Sequence, residues 1–449
     1  MSSTATLRAM SPWQRFAYSI GNFGVGLLPS IIGSWAMYYY APPAQDGSCL
    51  KTYVAMALIG TMLAIGRVAE AILNPFIGDW SDKIHTRWGR RIPFIIIGAP
   101  VMILAMLMVW FPPIQNESLI NAVWVCFWMV ITSLAFASVV APYLSLLPEL
   151  TPHNDERLVV SAYMAVFEVF GMVVAATAAG YLIDAYKCGT PVFGMFTLNG
   201  FQISGIVFGL VTLMAFWITG FGIKEKEYTE AKNVTLPFFE GAKEVMKNYS
   251  FRPYLALVTA FRIGIDMIIV VIPYVVTTMM GGSEEDAGNI MAVVMVGAVV
   301  LFPLINFLSQ KYGKKIVTIW GAIGFCIILP LIITLGKIPG IDPMVQGYIL
   351  FGFATFPVAV FNITIRPLLA DVIDYDETQT GFRREAMYNG MEGLFTRSGS
   401  GFAWILCSLL FAFFGSSVEN PLGVMLAGPV GGFFVFIGLL MFLKYPFKK

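Results

Sequence analysis

The residues able to do chemistry in this 449-residue chain are few, and they lie inside apolar stretches. Arg67, Glu70 and Asn74 are three and four residues apart, a spacing that puts side chains on one face of a helix. Two readings of the group stand side by side. It is either a protonatable or cation-binding carboxylate beside its counter-charge, or an Arg67–Glu70 pair that locks helix packing. Glu168 stands alone in mid-stretch, with Gly171 one turn on. A lone carboxyl in hydrocarbon favours its neutral form, which suits a proton carrier; the structural alternative is a protonated carboxyl hydrogen-bonded to a neighbouring helix. Arg262 and Asp266 are four apart and able to pair. Arg366, then Asn389, Glu392 and Arg397, add polar groups from the second half of the chain. An ionisable side chain at bilayer depth costs roughly 3 kcal/mol or more unless paired or hydrated, so each marks a functional site by default. Guanidinium groups present forked donors that carboxylates and vicinal hydroxyls accept. Arg262, Asp266, Arg366, Asn389, Glu392 and Arg397 are therefore read as lining a site for a polyhydroxy or anionic solute, and Arg67, Glu70, Asn74 and Glu168 as a cation-coupling group.

Other chemistries find little support. His85 and His153 are the only histidines and fall in loops, so no His-based metal site is expected, and no phosphate cradle or activated Ser or Cys arrangement is present. Ser398 to Gly401 reads as a close-packing patch. No cofactor and no enzymatic activity are expected. Of five cysteines, Cys126, Cys326 and Cys407 read as small packing residues. Cys49 and Cys188 fall in outward loops and are expected to stay unpaired unless loop geometry brings them together.

The elements that must position these groups follow from composition. Hydrophobic residues make up 57% and charged residues 12%, against roughly 25% charged in soluble domains, and the mean hydropathy is +0.76. A net charge of +1 leaves no basic field to hold nucleic acid. Nearly uncharged stretches run from Phe16 to Tyr40, Tyr53 to Trp80, Ile92 to Phe111, Ile120 to Leu147, Leu158 to Tyr186 and Leu198 to Gly222. They resume from Pro253 to Met279, Ala287 to Leu308, Ile316 to Leu335, Val345 to Ile373, Ala386 to Phe414 and Leu422 to Leu443. Most exceed the roughly 20 residues that span a bilayer. The pattern predicts an all-α membrane protein of twelve transmembrane helices in two pseudo-symmetric six-helix bundles, residues 1–222 and 253–449, joined by a polar linker over 223–252 with an amphipathic piece around Phe238 to Met246. The first stretch has no cleavage signature behind it and is expected to stay as the first helix. Arg87-Trp88-Gly89-Arg90-Arg91 after the second stretch is echoed by Lys311-Tyr312-Gly313-Lys314-Lys315 after the eighth, as a duplicated unit would leave behind. With both termini in the cytoplasm, 21 of the 28 basic residues fall inward, Lys51, Lys187 and Lys337 fall outward, and four arginines lie within the spans. That bias predicts the orientation, in the cell membrane.

With these features in place the chain resembles a major facilitator superfamily transporter. Gly66-Arg67-Val68-Ala69-Glu70-Ala71-Ile72-Leu73-Asn74-Pro75-Phe76-Ile77-Gly78, followed by Arg87-Trp88-Gly89-Arg90-Arg91-Ile92-Pro93, is similar to the helix-two signature of its glycoside-pentoside-hexuronide:cation symporter family. Ala370-Asp371-Val372-Ile373-Asp374-Tyr375-Asp376-Glu377, then Gly381, Arg383, Arg384 and Glu385, is similar to that family's segment between helices ten and eleven. Met37 to Tyr40 and Pro142 to Pro148 fit as well. This chain also departs from the family. Of two acidic residues at the family's helix-two cation site it keeps Glu70 and has Asn74 at the second, while the acidic sugar-contacting positions fall at Gly26 and near Val140, and a tryptophan position near Leu144. The helix-eleven basic position persists as Arg397. The resemblance implies alternating access by a monomer in the lipid bilayer. The solute it implies is a small polar one, such as a sugar, glycoside or uronate. Coupling to H+ through Glu70, Glu168 or Asp266 is favoured over Na+, because sodium needs several converging oxygen ligands. Asp82, Arg87, Arg90, Arg91, Asp371 and Asp374 are expected to form gate contacts that hold the outward-facing state. An amphiphile carrier or an uncoupled facilitator are the alternative readings, and an inert sensor or scaffold is disfavoured by the intramembrane charges.

Overall fold

An apolar stretch in hydrocarbon has no water to satisfy its peptide groups, so it must satisfy them internally as helix. The computed structural model, which describes residues 10–44, 49–83, 89–151, 154–192, 196–223, 238–382 and 384–447, holds twelve helices long and apolar enough to span a membrane. They are α1 (Pro12–Tyr40, with a turn at Ile20), α2 (Met56–Lys83), α3 (Ile92–Val109), α4 (Leu119–Ser145), α5 (Asn154–Ala185) and α6 (Gly200–Gly222), then α7 (Phe251–Met279), α8 (Glu284–Tyr312), α9 (Lys314–Thr334), α10 (Pro343–Thr380), α11 (Glu385–Phe414) and α12 (Leu422–Phe442). Large apolar side chains stand exposed along them, among them Leu119, Val123, Ile97 and Phe413. Such a surface is covered by lipid.

Local chemistry sets where the helices begin. Ser11, Asn199 and Ser283 each accept from the backbone three residues on and receive the side chain of Gln14, Gln202 and Asp286 in return. The glycines of the two echoed basic turns are alike: Gly89 (φ 107°) and Gly313 (φ 92°) both take a positive φ that side chains rarely adopt.

Packing repeats between the halves. In the first half α1 packs on α5 and α6, α2 on α4, and α3 on α4 and α6; in the second α7 packs on α11 and α12, α8 on α10, and α9 on α10 and α12. Each pairing has its counterpart six helices later, and this is the two-bundle architecture expected from the repeat. Between the halves, α2 meets α11, α5 meets α8, and α1 meets α7. The short helix Phe238–Val245 rests on α11, where Met387 crowds Gly241.

One face carries Arg90, Arg91, Lys314, Lys315 and Lys444; it is called the basic face, and the opposite one the far face. The bundles are drawn together at the far face. There Tyr38 Oη donates to Glu284 (2.9 Å), Tyr274 Oη donates to the Ala41 carbonyl (2.9 Å), and Ser408 Oγ donates to the Met56 carbonyl (2.5 Å). Cys49 and Cys188 do pair, with Cα atoms 5.0 Å apart. The expectation that they stay apart fails: Cys49, in the α1–α2 loop, meets Cys188 just before the short hairpin in which Thr190–Val192 pairs with Phe196–Leu198.

Candidate functional site

The polar groups of the spans gather into three clusters between the bundles. In the first, the Glu70 carboxylate of α2 is bracketed by two guanidiniums. Arg67 Nη1 lies 3.3 Å from Oε2 one turn back on the same helix, and Arg397 Nε of α11 donates to Oε1 at 2.8 Å from the other bundle. Glu70 is 4% exposed in its side chain, so these charges are its solvent. Arg67 also lies over the Trp404 ring, 5.1 Å from its centroid, a cation–π contact across the same boundary. The Arg67–Glu70 pair is real, and its third member comes from the other half. Asn74 and Asp82 have side chains outside the described residues.

The second cluster belongs to the second bundle. Arg262 Nε donates to Asp266 Oδ2 (2.8 Å) and lies within 3.0 Å of Ser400 Oγ on α11. Arg366 of α10 donates to Asn389 Oδ1 (3.0 Å) and stands 3.9 Å from Glu392, which accepts from Tyr254 Oη at 3.0 Å. Arg366 keeps 72% of its side chain exposed, and its charge reaches Glu168 of the first bundle.

Glu168 makes the third. Asn22 Nδ2 of α1 donates to its Oε2 at 2.9 Å and also reaches the Met164 carbonyl (3.0 Å). Its hydrogen-bond donor is thus a neutral amide, and Arg366 acts on it through space from the opposite bundle. α1 and α5 touch closely here. A Cβ on Gly26 would run into the Glu168 backbone carbonyl, and one on Gly171 into the Phe23 carbonyl. An acidic side chain at position 26 has no room, which gives a packing reason for the departure from the family pattern there.

Beside Glu70 a small cleft lies between α1, α2 and α4. Its walls are Leu28, Ile32, Met129 and Phe136, with Arg67, Thr132 and Ser133 as its polar edge.

Of the expected gate residues, Asp371 and Arg91 are engaged within their own bundles. Lys314 Nζ pairs with Asp371 (2.5 Å), and Arg91 Nη1 donates to the Ser145 carbonyl (2.5 Å). Asp374 is exposed at the end of α10, Arg90 is half-buried, and Arg87 lies outside the described residues. Asn22, Tyr254, Ser400 and Trp404 were passed over by sequence reasoning because they are neutral. Asn22 alone carried a signal, an amide early in an apolar stretch, while the other three gain their roles only from the rotation of neighbouring helices. Among the described residues no cluster of His, Cys, Asp and Glu is arranged to hold a metal ion.

Comparison with known proteins fits this geometry. The model of the family described as MFS/sugar transport protein matches residues 17–446. The chain is similar to the Isoprimeverose transporter of Lactiplantibacillus pentosus, 22% identical with 90% of this chain and 81% of that protein covered. It is also similar to the Sphingosine-1-phosphate transporter MFSD2B of Mus musculus, 26% identical over 95% of this chain and 88% of that protein. In fold it resembles a bacterial homolog of the human lysosomal transporter Spinster in an inward-facing, unoccupied conformation, with a TM-score of 0.68, 14% identity, and 98% and 99% of the two chains covered.

Proposed function

The chain belongs to the MFS/sugar transport protein family, of glycoside-pentoside-hexuronide type, and from that premise we propose that it moves a sugar, glycoside or uronate by alternating access, coupled to protons. Membership makes it a multi-pass membrane protein and a secondary transporter; its relatives and its fold are those of transporters. The solute reading rests on one observation above the others. Arg366 keeps most of its side chain exposed, with Asn389 and Glu392 beside it. An exposed donor fork and amide, with a carboxylate behind them, suit the hydroxyls of a sugar ring, and the fork suits a uronate carboxylate.

Proton coupling is assigned to Glu168. A cation approaching Glu70 meets Arg67 and Arg397, both within 3.3 Å of its carboxylate, and Asp266 is held by Arg262. Glu168 is offered only an amide hydrogen by Asn22, so taking up a proton there displaces no bonded cation. In this reading the basic face is cytoplasmic by the positive-inside rule, both termini lie there, the protein works as a monomer in the cell membrane, and Asp82, Arg87, Arg90, Arg91, Asp371 and Asp374 meet across the bundles when that face closes.

A specific observation supports a second reading, an amphiphile carrier. The cleft beside Arg67 has mostly apolar walls, and the relative from Mus musculus is named for sphingosine-1-phosphate. The deciding experiment is thermal unfolding of the purified protein with neutral glycosides, uronates and lysolipids, at two pH values, with and without sodium. A ligand at about 100 times its Kd adds about 2.7 kcal/mol. A shift with glycosides or uronates that depends on pH supports the proposal. A shift confined to lysolipids overturns the sugar reading, and one that needs sodium overturns proton coupling.

A further inference from the structure

The far-face closure is centred on one carboxylate. Glu284 is the first residue of α8, fixed there by the Ser283–Asp286 capping box, and its side chain is essentially sealed from solvent. The bonds that neutralise it come from the other bundle: Lys187 Nζ at 2.6 Å and Tyr38 Oη at 2.9 Å. Asp184, one turn before Lys187, also faces it. Below this point α5 and α8 approach until backbone meets backbone, a Cβ on Gly180 falling 2.6 Å from the Glu284 carbonyl oxygen.

Lys187 is not on a helix. It lies just past the end of α5, and the next residue, Cys188, is bonded to Cys49 in the loop between α1 and α2. A lysine on a loop has many positions open to it, and ordering its side chain alone costs about 2 kcal/mol of rotamer freedom. The disulfide removes much of the loop's share of that freedom by tying residue 188 to a strand of chain that begins at Tyr40, two residues from Tyr38. Both partners of Glu284 are thereby anchored to one cross-linked patch of the first bundle.

We propose that Lys187, Tyr38 and Glu284 form the latch that closes the far face, and that the Cys49–Cys188 disulfide sets its strength, so that reduction shifts the protein toward the far-open state. Opening must part Lys187 from Glu284, and a buried carboxylate left without its cation is costly, so the closed state is held only while the lysine is in place. The inference rests on alternating access for its meaning, but its test needs no substrate.

The test follows the thiol of a Thr277→Cys variant. Thr277 is buried in α7 and faces Tyr38 from the other bundle. Cys126 and Cys326 are replaced by alanine, and Cys407, fully buried in the second bundle, is kept as a monitor of unfolding. The rate of maleimide attachment at position 277 is read by mass spectrometry of its peptide. In this background Lys187→Met should raise that rate about tenfold or more, as breaking a buried pair implies. Cys49→Ala with Cys188→Ala should raise it about threefold, and should add nothing once Lys187→Met is present, because the two act on one contact. Position 407 should stay unreactive throughout. An unchanged rate with Lys187→Met overturns the latch. A rise with Lys187→Met and none with the cysteine variants overturns the role of the disulfide. If the cysteine variants do not fold, Glu284→Gln supplies the second measurement of the latch, and brief reduction of the intact protein that of the disulfide, with the same expectations. Failure of the solute panel leaves these rates unaffected, so the two ideas fall separately.

Discussion

Glu70 and Glu168 are both carboxylates in spanning helices, yet their neighbours assign them different work. Glu70 lies between Arg67 and Arg397 and joins the bundles; Glu168 accepts from Asn22 and stays with its own bundle. Removing the charge from each should separate coupling from closure. Glu168→Gln keeps a hydrogen-bonding oxygen for Asn22 and should leave the fold intact. In proteoliposomes it should abolish accumulation driven by a pH gradient while sparing exchange of internal for external solute. Accumulation that persists in that variant would take the proton away from Glu168. Glu70→Gln instead leaves two guanidiniums facing each other, and should lower stability by about 1–2 kcal/mol, discounted because Arg397 is 36% exposed. The melting temperature reads that loss. The charges themselves were legible in the sequence, because any ionisable residue in an apolar stretch stands out. Their partners were not. Arg397 is 327 residues from Glu70, and only the rotation of α2 against α11 decides that they meet.

The helices follow from hydropathy alone, since hydrocarbon leaves the backbone no alternative, and the twelve expected stretches reappear with ends moved by a few residues. What hydropathy does not carry is how closely two helices approach. That depends on small residues whose partners lie elsewhere in the chain. Ala176 and Gly180 on α5 meet Glu284 and Gly288 on α8 at the far face; a Cβ on Gly288 would fall 2.5 Å from the Ala176 carbonyl oxygen. The four-residue spacing of Ala176 and Gly180 on α5, facing Gly288 and the Glu284 backbone on α8, is the small-residue contact by which membrane helices pack without a hydrophobic drive. Gly288→Val must therefore push α8 away from α5. Overpacking costs about 1–3 kcal/mol, enough to move a two-state equilibrium by about 5- to 150-fold. Spin labels on the far-face ends of α5 and α8 should show longer distances in this variant than in the parent. Gly352→Val is the control, because nothing lies near that position, and it should leave the distances alone. Equal distances in all three proteins would mean that the α5–α8 contact does not hold the far face shut. The disulfide belongs to the same scale: two cysteines in separate loops announce nothing until the loops are folded over one another.

At the scale of the molecule, the pairing of α2 with α11 and of α5 with α8 is one contact repeated by the pseudo-two-fold relation of the halves. Contacts so related can part together when the bundles rock, and this is what lets a single site between them face either side. The present structure has the far face joined and Arg366 exposed. If transport requires the far face to open, a covalent bond there must stop it while leaving the site accessible. Position 64 on α2 and position 401 on α11, about two turns inside the Met56–Ser408 contact, suit such a bond on the same boundary. A Cβ built on Gly401 would lie 3.2 Å from that of Ala64, close to the roughly 3.5–4.5 Å between the Cβ atoms of a disulfide. Ala64→Cys with Gly401→Cys, in protein whose three free cysteines have been replaced, should transport when reduced and stop when oxidised, with recovery on adding reductant. Ligand should still stabilise the oxidised form against heat, because Arg366 is exposed while the far face is joined. Transport at the reduced rate after verified cross-linking would mean that α2 and α11 need not separate, and alternating access at this boundary would have to be abandoned.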